Sequence, residues 1–400
     1  MERQELKLSK FNQFHCLAER CPMSCCQGYK IKVDPQTLQN WQDHADPEES
    51  RDLLANIVHI EPNQVNMLQR DDGTCACLGP DKLCTVQVRH GHDLLPQICR
   101  DYPRSILESD WKRLETLLLS CPEATRLTLF NDNDSPLFEP IGERARGTYR
   151  QVGYTSTSQL IDEFVDGVLQ NSKYPLNVKV LAISTLLAQL SMLFRQVQLD
   201  QNAFDGLFKK VGSRLYELNL AIKQGKIKPA PPTRGSYWKS IYRLTLKKAV
   251  SLTKFNLNDS AWHRLLSECQ DIEGDLTKID NKFAAYRNSA WAALHDNYGK
   301  LFLRYLTITF CNQGFPWRSP SGFIDILAAF IHCVTKLSAI QLICLIKQHE
   351  TGSLEEECLY ELIYTVEHQI GHSDAIYETI KKDPMRRNLH LYQECFIDFF

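Results

Sequence analysis

The sequence predicts a mainly α-helical protein in which a cysteine-rich, irregular N-terminal domain is followed by an all-α helical domain. Two observations support this prediction. Nine of the 15 cysteines lie between positions 16 and 121 of the 400-residue chain. Beyond about residue 150, apolar residues recur at steps of three and four and show almost no strand-like alternation, which is typical of helices. We therefore predict a cysteine-rich metal-binding domain over residues 1–126, a connector over 127–150 and a helical domain over 151–400.

The composition excludes several classes of function. With 43% hydrophobic and 24% charged residues and a formal net charge of −2, the chain has no overall field that would attract nucleic acid or an anionic membrane. The first residues lack the apolar core of a secretory signal. The most apolar stretch, residues 322–346, is interrupted by four polar residues, whereas a transmembrane helix needs about 20 nearly uninterrupted apolar residues. We expect a cytoplasmic protein with no nucleic-acid or membrane partner, and the sequence does not predict its oligomeric state.

The cysteine-rich domain contains few regular elements by sequence pattern. One helix is predicted around residues 35–56, because Asp34 can cap it and Pro35 fits its first turn. Turn residues at 71–74 and 78–81 surround Cys75 and precede Cys84. A region with so little regular structure cannot build a strong core by itself, so we expect a bound metal to stabilise it.

The helical domain begins with a recognisable start signal. Ser156-x-x-Gln159 resembles a capping box, and residues 176–194 alternate apolar steps of four and three, which indicates a one-sided helix. The proline-rich residues 228–235 form a loop. Further helices are predicted around residues 238–252, 279–310, 321–347 and 354–377.

Eight of the clustered cysteines form a spaced array that predicts metal binding. Structural disulfides rarely persist in a reducing cytosol, and thiolates at such close spacing suit a soft metal or an iron–sulfur cluster. A cubane cluster uses four thiolates, so eight candidates mean two sites, or one site plus structural thiols. Zinc is the alternative metal, although eight thiolates exceed one tetrahedral zinc site. The predicted metal ligands are Cys16, Cys21, Cys25, Cys26, Cys75, Cys84, Cys99 and Cys121.

Other residues near the array have two open interpretations. His90 and His92 are either additional ligands or a solvent-facing loop pair, since cysteines are already in excess. Arg100 and Arg104 either bind a carboxylate or the negative charge of a cluster, or they fix the loop through a salt bridge. Cys77 is an additional thiol without a predicted role.

The array resembles a known family. The motif Cys16-x4-Cys21-x3-Cys25-Cys26-x-Gly28-Tyr29 is similar to the opening motif of the flagellin lysine-N-methylase family, in which a Cys-Cys pair is followed one residue later by Gly and an aromatic residue. The spacing also resembles that of cysteine-cluster proteins of the zinc- or iron-chelating type. Ala76 and Cys77 replace the commoner Pro and aromatic residue, and Tyr29 replaces the commoner Trp. The resemblance continues over residues 73–78, 83–87, 99–104 and 119–123, and more weakly at 297–298, 315–316 and 371–373.

The resemblance implies an enzyme that methylates lysine side chains of flagellin with S-adenosylmethionine and holds an iron–sulfur cluster, a 4Fe-4S type, on its N-terminal cysteines. The residues themselves do not place the catalytic base or the methyl-donor pocket. No Gly-rich fingerprint of the αβ methyltransferase type is found, and no Cys-x3-Cys-x2-Cys run occurs. Two alternatives are a non-enzymatic metal-binding module, with zinc or an iron–sulfur cluster, that binds a protein partner, and a metal or redox carrier.

Overall fold

A computed structural model describes residues 3–61, 64–131, 135–143, 148–151, 156–194, 206–227, 276–312 and 326–371. Helices dominate this part of the chain, which confirms the prediction of a mainly α-helical protein. The predicted loop at 228–235, the helix at 238–252 and residues 372–377 of the last predicted helix lie outside the described residues.

The N-terminal part contains two sheets, so the prediction that it is irregular is wrong in this respect. A five-stranded sheet has the order β7-β1-β6-β5-β8, and a three-stranded antiparallel sheet has the order β2-β4-β3. In the larger sheet β5 and β6 form an antiparallel hairpin, while β1 runs parallel to β6 and β8 parallel to β5. The described strands are β1 (Gln4–Leu8), β2 (Lys32–Val33), β3 (Ile57–Glu61), β4 (Gln64–Met67), β5 (Arg104–Glu108), β6 (Lys112–Leu117), β7 (Phe138–Pro140) and β8 (Thr148–Gln151).

Most described helices of the second part of the chain follow the predicted segments, and helix α6 (Ser156–Gln170) begins at the predicted start signal. Helix α8 (Phe208–Lys223) was not predicted. A π-helical turn, Arg126–Phe130, follows α5, and a second one, Glu367–Gly371, follows α11. The described helices are α1 (Pro35–Gln42), α2 (Pro47–Leu54), α3 (Thr85–His90), α4 (Gln97–Asp101), α5 (Pro122–Thr125), α6 (Ser156–Gln170), α7 (Leu176–Phe194), α8 (Phe208–Lys223), α9 (Leu276–Asn312), α10 (Ile326–Thr351) and α11 (Glu356–Val366).

The helix predicted over residues 35–56 is two helices, α1 and α2. Asp34 caps α1 as predicted, because its carboxylate accepts a hydrogen bond from Thr37 N at 2.9 Å. Asp46 caps α2 by accepting from Glu48 N at 2.8 Å, and Pro47 follows it in the first turn. Proline disfavours the helical conformation in the residue that precedes it. Asp46 is therefore extended, and a new helix begins at Pro47.

Two main apolar cores stabilise the described chain, and Leu107 and Leu114 of the larger sheet form a third, much smaller cluster. The larger core begins at Leu8 and Phe11, continues through helices α6 to α11 and ends at Ile370. The larger core therefore contains residues from both sides of the predicted connector. Two strands of the connector region, β7 and β8, belong to the larger sheet. The smaller core consists of Val33, Trp41, Leu53, Val65, Met67, Cys75, Cys77, Val86 and Leu95.

One described helical segment, Ala329–His349 of α10, is long and apolar enough to cross a membrane by length and composition. Its most apolar window is entirely buried inside the protein. Phe330, Ile340 and Leu345 within it belong to the larger core, as expected for a central helix of a packed bundle.

Candidate functional site

A cavity of about 570 Å³ lies where the cysteine-rich segments meet the end of the helical part. This volume is in the range of small-molecule sites, about 300–1,000 Å³. Seven of the eight predicted ligands line the cavity, so the structure brings together residues that are far apart in the sequence. They are Cys16, Cys21, Cys25, Cys26, Cys84, Cys99 and Cys121.

The Cys25-Cys26 pair is positioned by the turn that follows it. Gly28 has a φ of 80°, a left-handed conformation that favours glycine, and its N–H donates to Gly73 O at 3.1 Å. Cys75 N donates to Cys26 O at 2.8 Å. The two parts of the array are therefore joined through their backbones, and the glycine of the opening motif has a conformational reason.

Cys84 and Cys121 each precede a short helix. Cys84 is the N-cap of α3 and Cys121 is the N-cap of α5, so both thiols lie beside unpaired helix N–H groups, which favour thiolate. At Cys84 the hydrogen bond from the Cys26 thiol is the largest influence, and together with backbone N–H groups it lowers the pKa to about 6. At Cys121 burial dominates instead and raises the pKa to about 12.

The thiols form two hydrogen-bonded sets. Cys26 interacts with both Cys25 and Cys84, which lowers the pKa of Cys25 and raises that of Cys26. Cys75 interacts with Cys77, so the pKa of Cys75 falls to about 7 and that of Cys77 rises. Cys25, Cys75 and Cys84 are therefore favoured as thiolates, the form that binds metals.

Cys75 is the predicted ligand that does not line the cavity. It is 6% exposed and belongs to the smaller core together with Cys77, which is 1% exposed. Cys26, Cys84 and Cys99 pack against the same core. Cys75 thus lies immediately behind the cavity wall, and Cys77, which had no predicted role, is its hydrogen-bond partner.

The donor set fits a thiol-ligated metal or cluster by its chemistry. All eight array cysteines are free thiols. The pKa of Cys99 is raised by burial and then by the neighbouring Cys25, Cys84 and Cys75, so its thiolate lacks a compensating positive charge. A bound cation would supply that charge. Among the described residues, however, no group of three or more Cys, His, Asp or Glu side chains is already arranged as a metal site.

The two histidines that follow Cys84 have different surroundings. His92 lines the cavity. His90 lies instead against Glu49, with Nδ1 to Oε2 at 3.4 Å, and its ring is 6.4 Å from that of His44.

The two arginines line the cavity and also fix its loops. Arg100 Nη1 donates to Asp93 O at 3.0 Å, and Arg104 Nη2 donates to Phe14 O at 3.2 Å. The Arg104 guanidinium lies 5.0 Å from the centre of the Phe14 ring, within cation–π range. Both side chains therefore place positive charge at the cavity while backbone carbonyls hold them.

One part of the cavity wall carries oxygen and nitrogen groups that sequence reasoning did not identify. Tyr102 Oη and Ser120 Oγ are 3.1 Å apart, and both residues line the cavity with Glu123 and His368. Glu123 accepts hydrogen bonds from Arg126 at 2.7 and 2.8 Å, which neutralises its charge. Tyr102 and Glu123 lie inside the family-like segments. The signal for His368 was the weak family-like motif at residues 371–373, which is only three residues away.

His368 is held against the Cys25-Cys26 loop. Its ring centre is 4.7 Å from that of Tyr29, and Tyr29 Oη donates to His368 O at 3.3 Å. Desolvation lowers the pKa of His368 to about 4, while hydrogen bonds to the backbone at Ser24 and Gln27 act in the opposite direction. The imidazole is therefore neutral at neutral pH and joins the helical part of the chain to the cysteine loops.

Residues 162–390 match the family model described as the FliB lysine N-methylase C-terminal domain. The chain is 22% identical over 393 residues to the lysine-N-methylase of Salmonella choleraesuis, which covers 91% of this chain and 90% of that protein. The lysine-N-methylase of Salmonella typhimurium is 22% identical over 394 residues, 91% of each protein. The flagellar biosynthetic protein FliU of Salmonella muenchen is 30% identical over 126 residues, 30% of this chain and 74% of that protein.

No solved structure matches the chain. The family model covers more than half of the sequence, and two relatives that match over about nine-tenths of their length are named lysine-N-methylase. The resemblance to lysine N-methylases is thereby confirmed, and the chain belongs to the FliB lysine N-methylase family.

Proposed function

We propose that this protein transfers a methyl group from S-adenosylmethionine to lysine side chains of flagellin, and that its N-terminal cysteines hold an iron–sulfur cluster. The observation that carries the proposal is the single cavity that collects seven array cysteines and has the volume of a small-molecule site. Relatives named lysine-N-methylase support the reaction, and the relative named FliU supports a flagellar substrate. We place this activity in the cytoplasm.

The array supplies more thiols than one 4Fe-4S cluster requires, because such a cluster uses four. The cluster would be held by four of Cys16, Cys21, Cys25, Cys26, Cys75, Cys84, Cys99 and Cys121, with zinc as the alternative metal. Cys25 and Cys84 are the strongest candidates, since both line the cavity and both thiols have lowered pKa values. When bound, the cluster would add a cationic centre that keeps its thiolate ligands ionised.

The remaining groups of the cavity suit the other reactants. Arg100 and Arg104 present guanidinium groups that can bind the carboxylate of an amino-acid-derived methyl donor. Methyl transfer to lysine requires a neutral amine aligned with the donor, and a partly buried cavity disfavours the ammonium form. The chain's own residues would therefore orient both reactants and limit their contact with water.

The test compares three serine variants of anaerobically purified protein. Cys25→Ser and Cys84→Ser should lose most of the bound iron and should incorporate little labelled methyl from S-adenosylmethionine into flagellin. Cys358→Ser is the matched control, because this thiol lies in α11 and is not part of the cavity lining. Iron, acid-labile sulfide and methyl incorporation are measured for each variant.

Two results would contradict the proposal. Equal iron content in all three variants would show that Cys25 and Cys84 do not bind the iron. A colourless, zinc-containing wild-type protein that transfers no methyl to flagellin would favour a non-enzymatic interaction module.

A further inference from the structure

The polar part of the cavity wall is a continuous network of side chains. Tyr102 Oη is 3.1 Å from Ser120 Oγ, and Ser120 also hydrogen-bonds the hydroxyl of Tyr29. Tyr29 in turn contacts His368 through its ring and through its hydroxyl, which donates to the backbone carbonyl. Tyr102, Ser120 and His368 all line the cavity, so two hydroxyl-bearing residues and one histidine lie at the same part of its wall.

The imidazole of His368 is fixed by its neighbours. It belongs to the π-helical turn Glu367–Gly371, where Glu367 accepts a salt bridge from Lys336 Nζ at 2.8 Å. Tyr305 Oη also donates to Glu367, and both Lys336 and Tyr305 are fully buried. Because the residue before it is anchored in the core and Tyr29 packs on its ring, His368 is preorganised rather than free to rotate.

One ring nitrogen of His368 makes no hydrogen bond to the described residues. Nε2 is buried and has no hydrogen-bond partner among the described residues, and His368 is one of the residues that line the cavity. Leaving a buried polar atom unpaired is costly, so such atoms in native proteins call for a specific explanation. The ring hydrogen-bonds the backbone at Ser24 and Gln27, and Nδ1 is not among the unpartnered atoms. A ring that donates to the backbone through Nδ1 leaves Nε2 as an acceptor, and the explanation we favour is a ligand that donates a hydrogen bond.

We propose that His368 Nε2, together with the hydroxyls of Tyr102 and Ser120, receives the ε-amino group of the substrate lysine by accepting its N–H hydrogen bonds. A primary amino group is rich in N–H donors, and this part of the wall offers one nitrogen and two oxygens that can accept. The inference rests on the proposed lysine methylation and names the subsite that would hold the methyl acceptor. His368 would thus be a substrate-binding residue from the helical part of the chain.

The test measures binding of two small probes to the full-length, iron-loaded protein by calorimetry. Nα-acetyl-lysine methylamide carries the amino group, and Nα-acetyl-norleucine methylamide has the same chain without it. The wild type should bind the lysine probe more tightly than the norleucine probe. His368→Phe should weaken binding of the lysine probe about tenfold, as expected for loss of a hydrogen bond, and should not change binding of the norleucine probe. The iron content of His368→Phe should equal that of the wild type.

His295→Phe is the matched control. His295 is another histidine whose pKa is lowered by desolvation to about 4, but it lies between Trp291 and Phe302 on α9 and is not part of the cavity lining. This variant should keep the preference for the lysine probe. Tyr102→Phe provides a second, conservative test, since it removes one hydroxyl and should weaken the lysine probe about threefold or more.

The outcomes separate this inference from the proposed function. Unchanged preference for the lysine probe in His368→Phe or in Tyr102→Phe would overturn the inference. Loss of iron in His368→Phe would also overturn it, because the imidazole would then serve to hold the cysteine loop in place. If the wild type binds the lysine probe through His368 yet transfers no methyl to flagellin, the amine subsite stands and the proposed reaction fails. If the wild type methylates flagellin without preferring the lysine probe, the reaction stands and the subsite is wrong.

Discussion

Lys112 shows how a charged residue can be part of the interior of this protein. It lies in β6, and its Nζ is 3.1 Å from Asp162 Oδ2 and 2.7 Å from Asp166 Oδ2 in α6. Burial raises the pKa of Asp162 to about 7; the ammonium of Lys112 acts against this shift, and the second carboxylate of Asp166 adds to it. The cluster joins the larger sheet to the first helix of the helical part.

The raised pKa of Asp162 predicts a pH dependence of stability. The folded protein retains a proton on this carboxyl between pH about 4 and 7, whereas the unfolded chain has lost it, so stability falls as pH rises through that window. Asp162→Asn should show a smaller fall. The loss of stability is measured from the urea unfolding midpoints at pH 5 and pH 8. Glu217→Gln, at an exposed position of α8, should keep the wild-type dependence. Equal pH dependence in the wild type and Asp162→Asn would contradict the prediction.

At the residue level, the sequence grouped the cysteines of the cavity better than it identified the other lining residues. Spacing alone grouped the eight thiols, and seven of them line one cavity. Ser120 is next to Cys121 in the family-like segment 119–123. His368 carries no such spacing signal, because it reaches the cavity only when the turn after α11 packs beside the cysteine loops. A side chain that reaches a site through tertiary packing leaves no periodic pattern in the sequence.

At the level of elements, the long helices other than α8 were predicted, and the strands were not. Helical periodicity survives burial because each helix keeps a distinct apolar face. All six residues of β6 are buried, so the alternation that identifies a half-exposed strand is absent. Its charged residues are compensated internally: Arg113 is 2.8 Å from Glu115 and 3.1 Å from Glu108. The sequence of β6 therefore shows neither the alternation of a half-exposed strand nor the apolar run of a buried one, and no strand was predicted there.

The π-helical turn after α11 depends on a buried ion pair. Lys336 of α10 and Glu367 are 2.8 Å apart, and neither is appreciably exposed. Lys336→Met removes the cationic partner and leaves a carboxylate in the core, so we expect a loss of about 3–5 kcal/mol in the free energy of unfolding. Urea denaturation measures this loss.

Two further variants make the ion-pair prediction specific. Lys336→Met combined with Glu367→Leu should recover most of the stability, because no buried charge then remains. Lys347→Met, further along α10 at a partly exposed position, should change stability by less than about 0.5 kcal/mol. A double variant as unstable as Lys336→Met would show that the pair stabilises the turn in some other way.

At the scale of the whole molecule, the site joins two cores of very different size. The larger core extends from Leu8 to Ile370, while the smaller core consists of nine buried residues, two of which are Cys75 and Cys77. Hydrophobic stabilisation depends on the buried apolar area, so the smaller core gains far less from it than the larger core does. The cysteine segments should therefore depend on bound metal more than the helices do.

This difference predicts that metal removal unfolds the molecule in part. After chelation, backbone amides of α1 and of β2 to β4 should exchange with deuterium much faster, because the smaller core loses the links that the metal makes between its loops. Amides of α7 and α10, within the larger core, should keep their protection. Hydrogen exchange followed by mass spectrometry compares metal-loaded, chelated and reloaded protein, and reloading should restore protection. Equal acceleration in both cores, or none in either, would contradict metal-dependent stability of the cysteine segments.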